Sequence, residues 1–242
     1  MAGGDTNCPA CRSDQTTFLM QADGKDYYAC SKCQARYLAR KHLPRADEEY
    51  AHYLTHENDP DDPGYRAFLS KLAIPLLNRV APGAIGLDYG CGPGPALAAM
   101  LEERGHQMAL YDPFFSREPA PLGRTYDFIT CTETAEHFHR PADEFDRLDN
   151  LLRPGGLLAV MTSFQTDDAR FEGWHYRKDP THVVFYREAT FRVIALQRGW
   201  SCTCPVKDVV LMFKPGRPQA GRNEAQRARK AGQTLQDGRN LL

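Results

Sequence analysis

GLDYGCGPGP, residues 86–95, reads as a strand that runs into a glycine-rich turn and then a helix. The apolar run Ala84–Tyr89 carries Asp88 near its end. Gly90, Gly92 and Gly94 follow at alternate positions, and Pro95–Arg104 reads as a helix closed by Gly105. Glycines at such a turn let the backbone bend sharply and approach a ligand closely. The start of the helix offers unpaired N–H groups. A dinucleotide fingerprint needs a glycine at the sixth position of the loop, and Pro95 stands there instead. The informative feature is therefore the glycine turn together with the carboxylate inside the preceding strand.

Downstream, strand and helix signals alternate. Gln107–Tyr111 and Tyr126–Cys131 read as strands. Ala142–Leu152 reads as a helix with Phe145, Leu148, Leu151 and Leu152 on its inner face. Pro154-Gly155-Gly156 is read as a turn before the strand Leu157–Thr162. Ala189–Arg198 is a helix closed by Gly199, and Trp200–Cys204 with Asp208–Phe213 forms a final hairpin around Pro205. Upstream, residues 65–80 (YRAFLSKLAIPLLNRV) place Phe68, Leu69, Leu72, Leu76 and Leu77 on one side of a helix. Asp62 is its cap, Pro63 its start, and Pro75 a kink. The alternation predicts an α/β main domain over 65–214, with a parallel sheet and helices on both faces.

The remaining chain divides into three pieces. Cys8, Cys11, Cys30 and Cys33 follow the pattern C-x2-C-x18-C-x2-C, the spacing of a zinc ribbon. Residues 1–45 hold too little apolar mass for a core of their own and need such a staple. Within them TTFLMQ and KDYYAC read as strands joined by Ala22-Asp23-Gly24, with Phe18, Tyr27, Tyr28 and Tyr37 as a small core. Lys25, Lys32, Arg36, Arg40, Lys41 and Arg45 give a basic surface, either solvated or facing RNA. Residues 46–64 form a connector with Tyr50, His52, Tyr53 and His56. Its run HENDPDDPG argues for turns rather than one long helix, acting as a lid or as a capped turn. Residues 215–242 read as a flexible basic tail.

Composition excludes whole classes. The 242 residues carry 30 basic and 31 acidic side chains, so net charge makes no case for nucleic acid or an anionic membrane. Apolar runs such as Leu157–Met161 and Val209–Phe213 are far shorter than the roughly 18 residues a membrane helix needs. The first residues show no cationic stretch followed by an apolar one, so the expected location is cytoplasmic, with reduced thiols. Cys91, Cys131, Cys202 and Cys204 are expected to be inert.

A second constellation follows the strand at 126–131. If Glu133-Thr-Ala-Glu136-His137 opens a short helix, positions i, i+3 and i+4 face one way. Two carboxylates and an imidazole then gather at the carboxyl end of the sheet, where open α/β sheets bind ligands. Such a set suits Mg, Mn, Fe or Zn, or forms a metal-free hydrogen-bonded cluster. His182 or His175 would complete it.

Residues 85–214 resemble the class I S-adenosylmethionine (SAM) methyltransferases. The order of motifs is similar: GLDYGCGPGP, Asp112 in LYDPF, TYDFITCTETAEHF, then LLRPGGLLAVMT. The resemblance implies a Rossmann-like sheet and SAM as cofactor. Its contacts would fall at Asp88, Gly90, Cys91 and Gly92, with Asp112 on the ribose hydroxyls. One departure stands out: only PFFSREPAPLGR separates Asp112 from the next strand, so the usual third strand and helix are abbreviated or lost. The adenine contacts therefore do not carry over, although Phe114 or Phe115 is suited to stack on the ring. The pattern Glu133, Glu136, His137 and His182 is similar to that of metal-dependent O-methyltransferases acting on small-RNA ends or on catechols. It implies ligand roles for those four, and a general-base role for His137 or His182 if no metal binds. The expected function is methyl transfer to a hydroxyl of a small molecule. The alternatives are an RNA methyltransferase gripping nucleic acid by the ribbon and tail, or a non-catalytic nucleic-acid-binding module.

Overall fold

The computed structural model describes residues 7–55 and 59–216. The chain begins with β1 (Thr16–Ala22), β2 (Lys25–Cys30) and β3 (Arg36–Leu38), then α1 (Ala46–Tyr53) and α2 (Pro63–Leu77). β4 (Ile85–Tyr89), α3 (Ala96–Glu102), β5 (Gln107–Tyr111), β6 (Tyr126–Thr132), α4 (Pro141–Leu151) and β7 (Leu152–Met161) follow. The last elements are α5 (His175–Lys178), β8 (Val184–Phe185), α6 (Glu188–Gln197), β9 (Ser201–Val206) and β10 (Val209–Phe213). His56 of the connector and the expected tail from residue 217 on lie outside the described residues.

Six strands form the main sheet in the order β5-β4-β6-β7-β10-β9. The first four run parallel, while β10 is antiparallel to β7 and β9 to β10. Strand order reverses between β5 and β6, on either side of β4, so a crevice opens at the carboxyl end of β4. β5 is the edge strand on that side. The stretch after it forms an Asp112–Ser116 bridge and one 3-10 turn, Ala120–Gly123, in place of a further strand and helix.

Side-chain alternation divides the core into two layers. Leu87, Ile129, Leu158, Val160, Val210 and Met212 face α4 and α6, against Phe145, Leu148, Phe191 and Ile194. Phe128, Leu157, Ala159, Met161, Val209 and Leu211 face the other way, against Leu69, Leu72 and Leu76 of α2 and Leu97 and Leu101 of α3. The period of two in each strand therefore places helices on both faces, as the alternating signals predict.

The cysteine-rich segment does not stand apart. β1, β2 and β3 continue into β8, so a four-stranded sheet contains one strand of the main domain. Arg36 pairs with Phe185 and Tyr37 with Val184. Tyr27 and Tyr37 pack in the same core as Phe171 and Phe185. Arg36, buried, donates to both carboxylate oxygens of Asp168, and Arg177, also buried, donates to Asp23 at 2.6 Å. The β1–β2 turn has Asp23 and Gly24 at φ 49° and 73°, the mirror-type hairpin turn that Asp-Gly favours.

Other expectations are corrected, and the connector gains a helix that the sequence reading did not place: α1 forms because Asp47, Glu48 and Glu49 populate its first turn and Glu48 accepts the Arg45 N–H at 2.8 Å. The Pro and Asp residues fall after it, where Asp62 accepts the Tyr65 N–H at 2.6 Å and caps α2 with Pro63 in first position. Pro154-Gly155-Gly156 is no turn: it lies inside β7, whose register against β6 shifts between Tyr126 and Phe128. The final hairpin turns at Lys207-Asp208, where Asp208 has φ 68°, while Pro205 sits within the edge strand β9, where a missing N–H is tolerated. Phe18 is 57% exposed, packed edge-on to Tyr28 rather than buried in the ribbon's core.

Candidate active site

The four cysteines converge. Cys8 and Cys33 sulfurs lie 3.6 Å apart, Cys11 and Cys30 3.7 Å, and all four residues are buried. These separations are too long for disulfides (about 2.05 Å) and match a tetrahedron built on Zn–S bonds of about 2.3 Å, whose edge is about 3.8 Å. Each knuckle closes through a left-handed residue, Arg12 at φ 61° and Gln34 at φ 63°. Arg12 donates to the Cys8 carbonyl at 2.8 Å and Gln34 to the Cys30 carbonyl at 2.9 Å. The adjacent Cys11 thiol and burial push Cys8 up to about 12, so a cation is needed to hold the cluster as thiolates. The donor set is compatible with structural zinc.

At the carboxyl end of β4 opens a cavity of about 640 Å³. The glycine turn forms one wall. Gly90 has φ 80°, and a Cβ there would collide with Thr134, so this position admits only glycine. Asp112 ends β5 and is buried. Its Oδ2 accepts the Gly92 N–H at 3.0 Å and its Oδ1 accepts the N–H groups of Phe114 at 2.8 Å and Phe115 at 3.0 Å. A carboxylate has about four acceptor positions, so roughly one remains toward the cavity. Cys91 and Gly92 line the cavity as well. Asp88 does not: it lies beneath the turn, where Thr130 donates to it at 2.7 Å. Burial, opposed by Thr130 and assisted by Asp112, raises its carboxyl to about 6.

The opposite wall comes from the loop after β6 and the segment before β8. Ala135–His137 is one turn of 3-10 helix, not the opening of a longer helix. Glu133 precedes it with φ 47°, its N–H donating to Met161 O at 2.8 Å. Helical i, i+3 spacing therefore does not hold for Glu133. Glu136, His137 and His182 bring ligand atoms within 4.8 Å of one another, while Glu133, the expected fourth ligand, lies outside that distance. His175 is exposed on α5 and takes no part.

Local hydrogen bonds orient the trio. His137 Nδ1 faces the Thr181 carbonyl at 3.1 Å and His182 Nδ1 faces the Tyr176 carbonyl at 2.7 Å. A carbonyl accepts only, so each Nδ1 carries the proton and the lone pair of each neutral ring sits on Nε2. Burial pushes His182 down, against the pull of Glu136, which keeps it neutral near pH 7. Glu136 is fully buried; one oxygen accepts the Tyr176 hydroxyl, and Oε2 has no hydrogen-bond partner among the described residues. A buried carboxylate oxygen left unpaired is costly unless a cation faces it. Together with two Nε2 lone pairs, this donor set fits a divalent metal. Burial, then repulsion from Glu136, pushes Glu133 up to about 9.

Helix α1 covers the cavity. Its Tyr50 stacks on Phe114 at 6.0 Å, and its Tyr53 meets Phe114 at 5.2 Å and His137 at 5.3 Å, both edge-on. Glu49 bonds His139 at 3.0 Å and His52 bonds Asp179 at 3.1 Å, latching the helix on both sides. Phe114 and Phe115, either of which was expected to stack on an adenine ring, both line the cavity and both pack against Tyr50 of α1. The sequence reading missed Glu49, His139, Tyr176 and Asp179. None falls in a periodic or spaced motif, and only the fold brings them to the site.

A mostly parallel sheet with helices on both faces, a glycine turn after its central strand and an acidic end to the neighbouring strand define a Rossmann-like α/β domain. The sequence model of the methyltransferase-domain family matches residues 65–204, more than half of the chain. The chain belongs to that family of methyltransferases. No curated protein sequence matches it. Among solved structures, a chain of the methyltransferase–Trm112 activator complex of Haloferax volcanii is similar over 71% of this chain and 100% of that one, at 15% identity and TM-score 0.49. The 1,6-didemethyltoxoflavin-N1-methyltransferase of Burkholderia thailandensis is similar over 83% and 99%, at 16% identity and TM-score 0.45. The magnesium protoporphyrin IX methyltransferase of Synechocystis is similar over 72% and 97%, at 14% identity and TM-score 0.43. No helix among the described residues is long and apolar enough to cross a membrane.

Proposed function

We propose that the protein transfers the methyl group of SAM to a hydroxyl oxygen of a small molecule, with a divalent metal held by Glu136, His137 and His182. The observation that carries this reading is the unpaired Glu136 Oε2 beside two imidazoles whose Nδ1 atoms are fixed on backbone carbonyls.

Gly90, Cys91 and Gly92 offer close backbone approach to the methionine part, and the remaining acceptor position of Asp112 suits one ribose hydroxyl. Asp88 supports the turn from below rather than touching the cofactor. The sulfonium methyl must lie in line with the acceptor oxygen, and the hydroxyl proton must leave. A bound divalent metal lowers the pKa of an oxygen ligand and fixes its position. With a metal bound, both Nε2 lone pairs would face it and the acidified hydroxyl would lose its proton to solvent; without one, His182 or His137 would take the proton on Nε2, since both Nδ1 atoms donate to backbone carbonyls. Vicinal oxygens, as in a catechol, would match such a centre. Glu133, raised by burial, sits at the cavity wall where it orients the acceptor.

The alternative of an RNA acceptor is less well supported. Of the ribbon's basic residues, Arg36 is turned inward onto Asp168, Lys41 pairs with Asp26 at 2.6 Å and Arg45 with Asp47 at 3.0 Å. The test is label transfer from methyl-labelled SAM to a panel of catechols and RNA 3′ ends, before and after chelation. Loss on chelation with rescue by Mg or Mn supports the reading. Full activity in rigorously chelated protein with intact ribbon zinc removes the metal from it.

A further inference from the structure

We infer that Tyr176 is the positioning residue of the Glu136–His137–His182 cluster, acting through its hydroxyl on the carboxylate and through its backbone carbonyl on the imidazole. The inference rests on the proposed role of that cluster.

Tyr176 is buried, on the four-residue helix α5. Its hydroxyl donates to Glu136 Oε1 and lies 3.2 Å from Glu133 Oε2, 3.0 Å from Thr162 Oγ1 and 3.3 Å from the Ser163 N–H. The Ser163 N–H can only donate, so it fixes the hydroxyl oxygen as acceptor and aims the single hydroxyl proton at the carboxylates. With Oε1 so engaged, Glu136 is held in one orientation and its Oε2 is the oxygen without a partner. The Tyr176 carbonyl accepts His182 Nδ1–H at 2.7 Å, and its ring packs at 4.1 Å from the imidazole. One residue therefore sets the rotamer of one member of the trio and the tautomer of another.

The position of Tyr176 is itself held from outside the cavity. The adjacent Arg177 is buried and reaches Asp23 at 2.6 Å, the Tyr27 hydroxyl at 3.3 Å and the Glu172 carbonyl at 2.8 Å. Successive residues of a helix point about 100° apart, so an arginine locked onto Asp23 and Tyr27 fixes the rotation of α5 that turns Tyr176 toward the cluster.

The test compares wild type with Tyr176→Phe, both loaded with ribbon zinc. The variant keeps the ring and the carbonyl and deletes only the hydroxyl. Mn2+ is titrated by electron paramagnetic resonance, and long-range 15N–1H spectra of His137 and His182 are recorded without metal. Loss of such a supporting hydrogen bond weakens metal binding by about 10–100-fold. The expected result is that loss, an unchanged SAM affinity, altered Nε2 resonances of both histidines, and retained Nδ1 protonation of His182. Spectra that superimpose on wild type overturn the positioning role, whether or not Mn2+ binds. If wild type takes up no Mn2+, the metal reading fails, and altered resonances in the variant still establish what Tyr176 does.

Discussion

Leu38 and Val183 are joined by a backbone hydrogen bond of 2.8 Å, from the Leu38 N–H to the Val183 carbonyl. The Val183 N–H in turn donates to the Glu136 carbonyl at 2.9 Å. One peptide segment thus connects the ribbon strand β3 to the residue that supplies the buried carboxylate, and His182 is its immediate neighbour. The cysteine-rich segment supports the site from behind through this backbone connection.

Removal of the ribbon zinc should therefore disturb the site as well as stability. Losing the β3–β8 pairing and the shared aromatic core is expected to cost at least about 3 kcal/mol, lowering Tm by roughly 6–12 °C for a chain of this size. Cys30→Ser, with zinc loss verified by elemental analysis, checks this by calorimetry and by methyl transfer. An unchanged Tm with full transfer in zinc-free protein would contradict the coupling.

Asp88 gives a pH dependence with a defined sign. Its folded pKa is raised to about 6 from an ordinary 3.8, mainly by burial, so the folded state holds the proton more tightly than the unfolded state. Stability then falls as pH rises through that window and levels off above it. Between pH 5 and 7 the loss is about 1 kcal/mol, or roughly 2–4 °C in Tm. Asp88→Asn keeps an acceptor for Thr130 and cannot ionise. The Tm of wild type minus that of the variant should fall over this range. Zinc affects both proteins alike and cancels. A flat difference would mean that Asp88 is not desolvated.

How far the sequence anticipates this architecture depends on whether a feature is local. Asp23-Gly24 specifies its turn by its own backbone preferences, and the cysteine spacing specifies the cluster because two knuckles and a hairpin are each built from adjacent residues. The strand periodicity of Leu87, Ile129 and Leu158 identifies the layers. α1 was hidden because the polar run after it dominates the composition of 46–64, while its own stability comes from Tyr50 and Tyr53 packing on Phe114. β8 has two residues and exists because β3 pairs with it. Glu133 stands apart from the trio because helical spacing does not extend over a residue with φ 47°. Tyr176 carries no motif, and its role depends on contacts 40 and 43 positions away.

Asp112→Asn should separate cofactor binding from folding. The carboxylate accepts three backbone N–H groups, two on Oδ1 and one on Oδ2. An amide satisfies the pair at Phe114 and Phe115 with its oxygen, and then its NH2 opposes the Gly92 N–H. The glycine turn moves off, and the acceptor for the ribose is lost. Loss of a hydrogen bond to a charged group costs about 1.5–3 kcal/mol, which weakens SAM binding by roughly 10–150-fold. Isothermal titration provides the measurement, and a twofold change or less would show that Asp112 serves only the turn.

Glu133 and Glu136 should respond differently to the same substitution. Glu136 contributes an oxygen to the trio within 4.8 Å, and Glu133 does not. Glu136→Gln replaces the unpaired anionic oxygen or its partner with a neutral amide, and the field that favours a dication is lost. Mn2+ affinity is expected to drop by about 100-fold or more, since one full charge leaves a desolvated centre. Glu133→Gln leaves all three trio residues in place. Because burial already raises Glu133 to about 9, it is protonated near neutral pH, and a neutral amide resembles its native state. Its Mn2+ affinity should stay within about fivefold of wild type, with the change appearing in KM for the acceptor. Equal and large losses of Mn2+ in both variants would restore Glu133 as a fourth ligand and would require its loop to leave the left-handed conformation on metal binding.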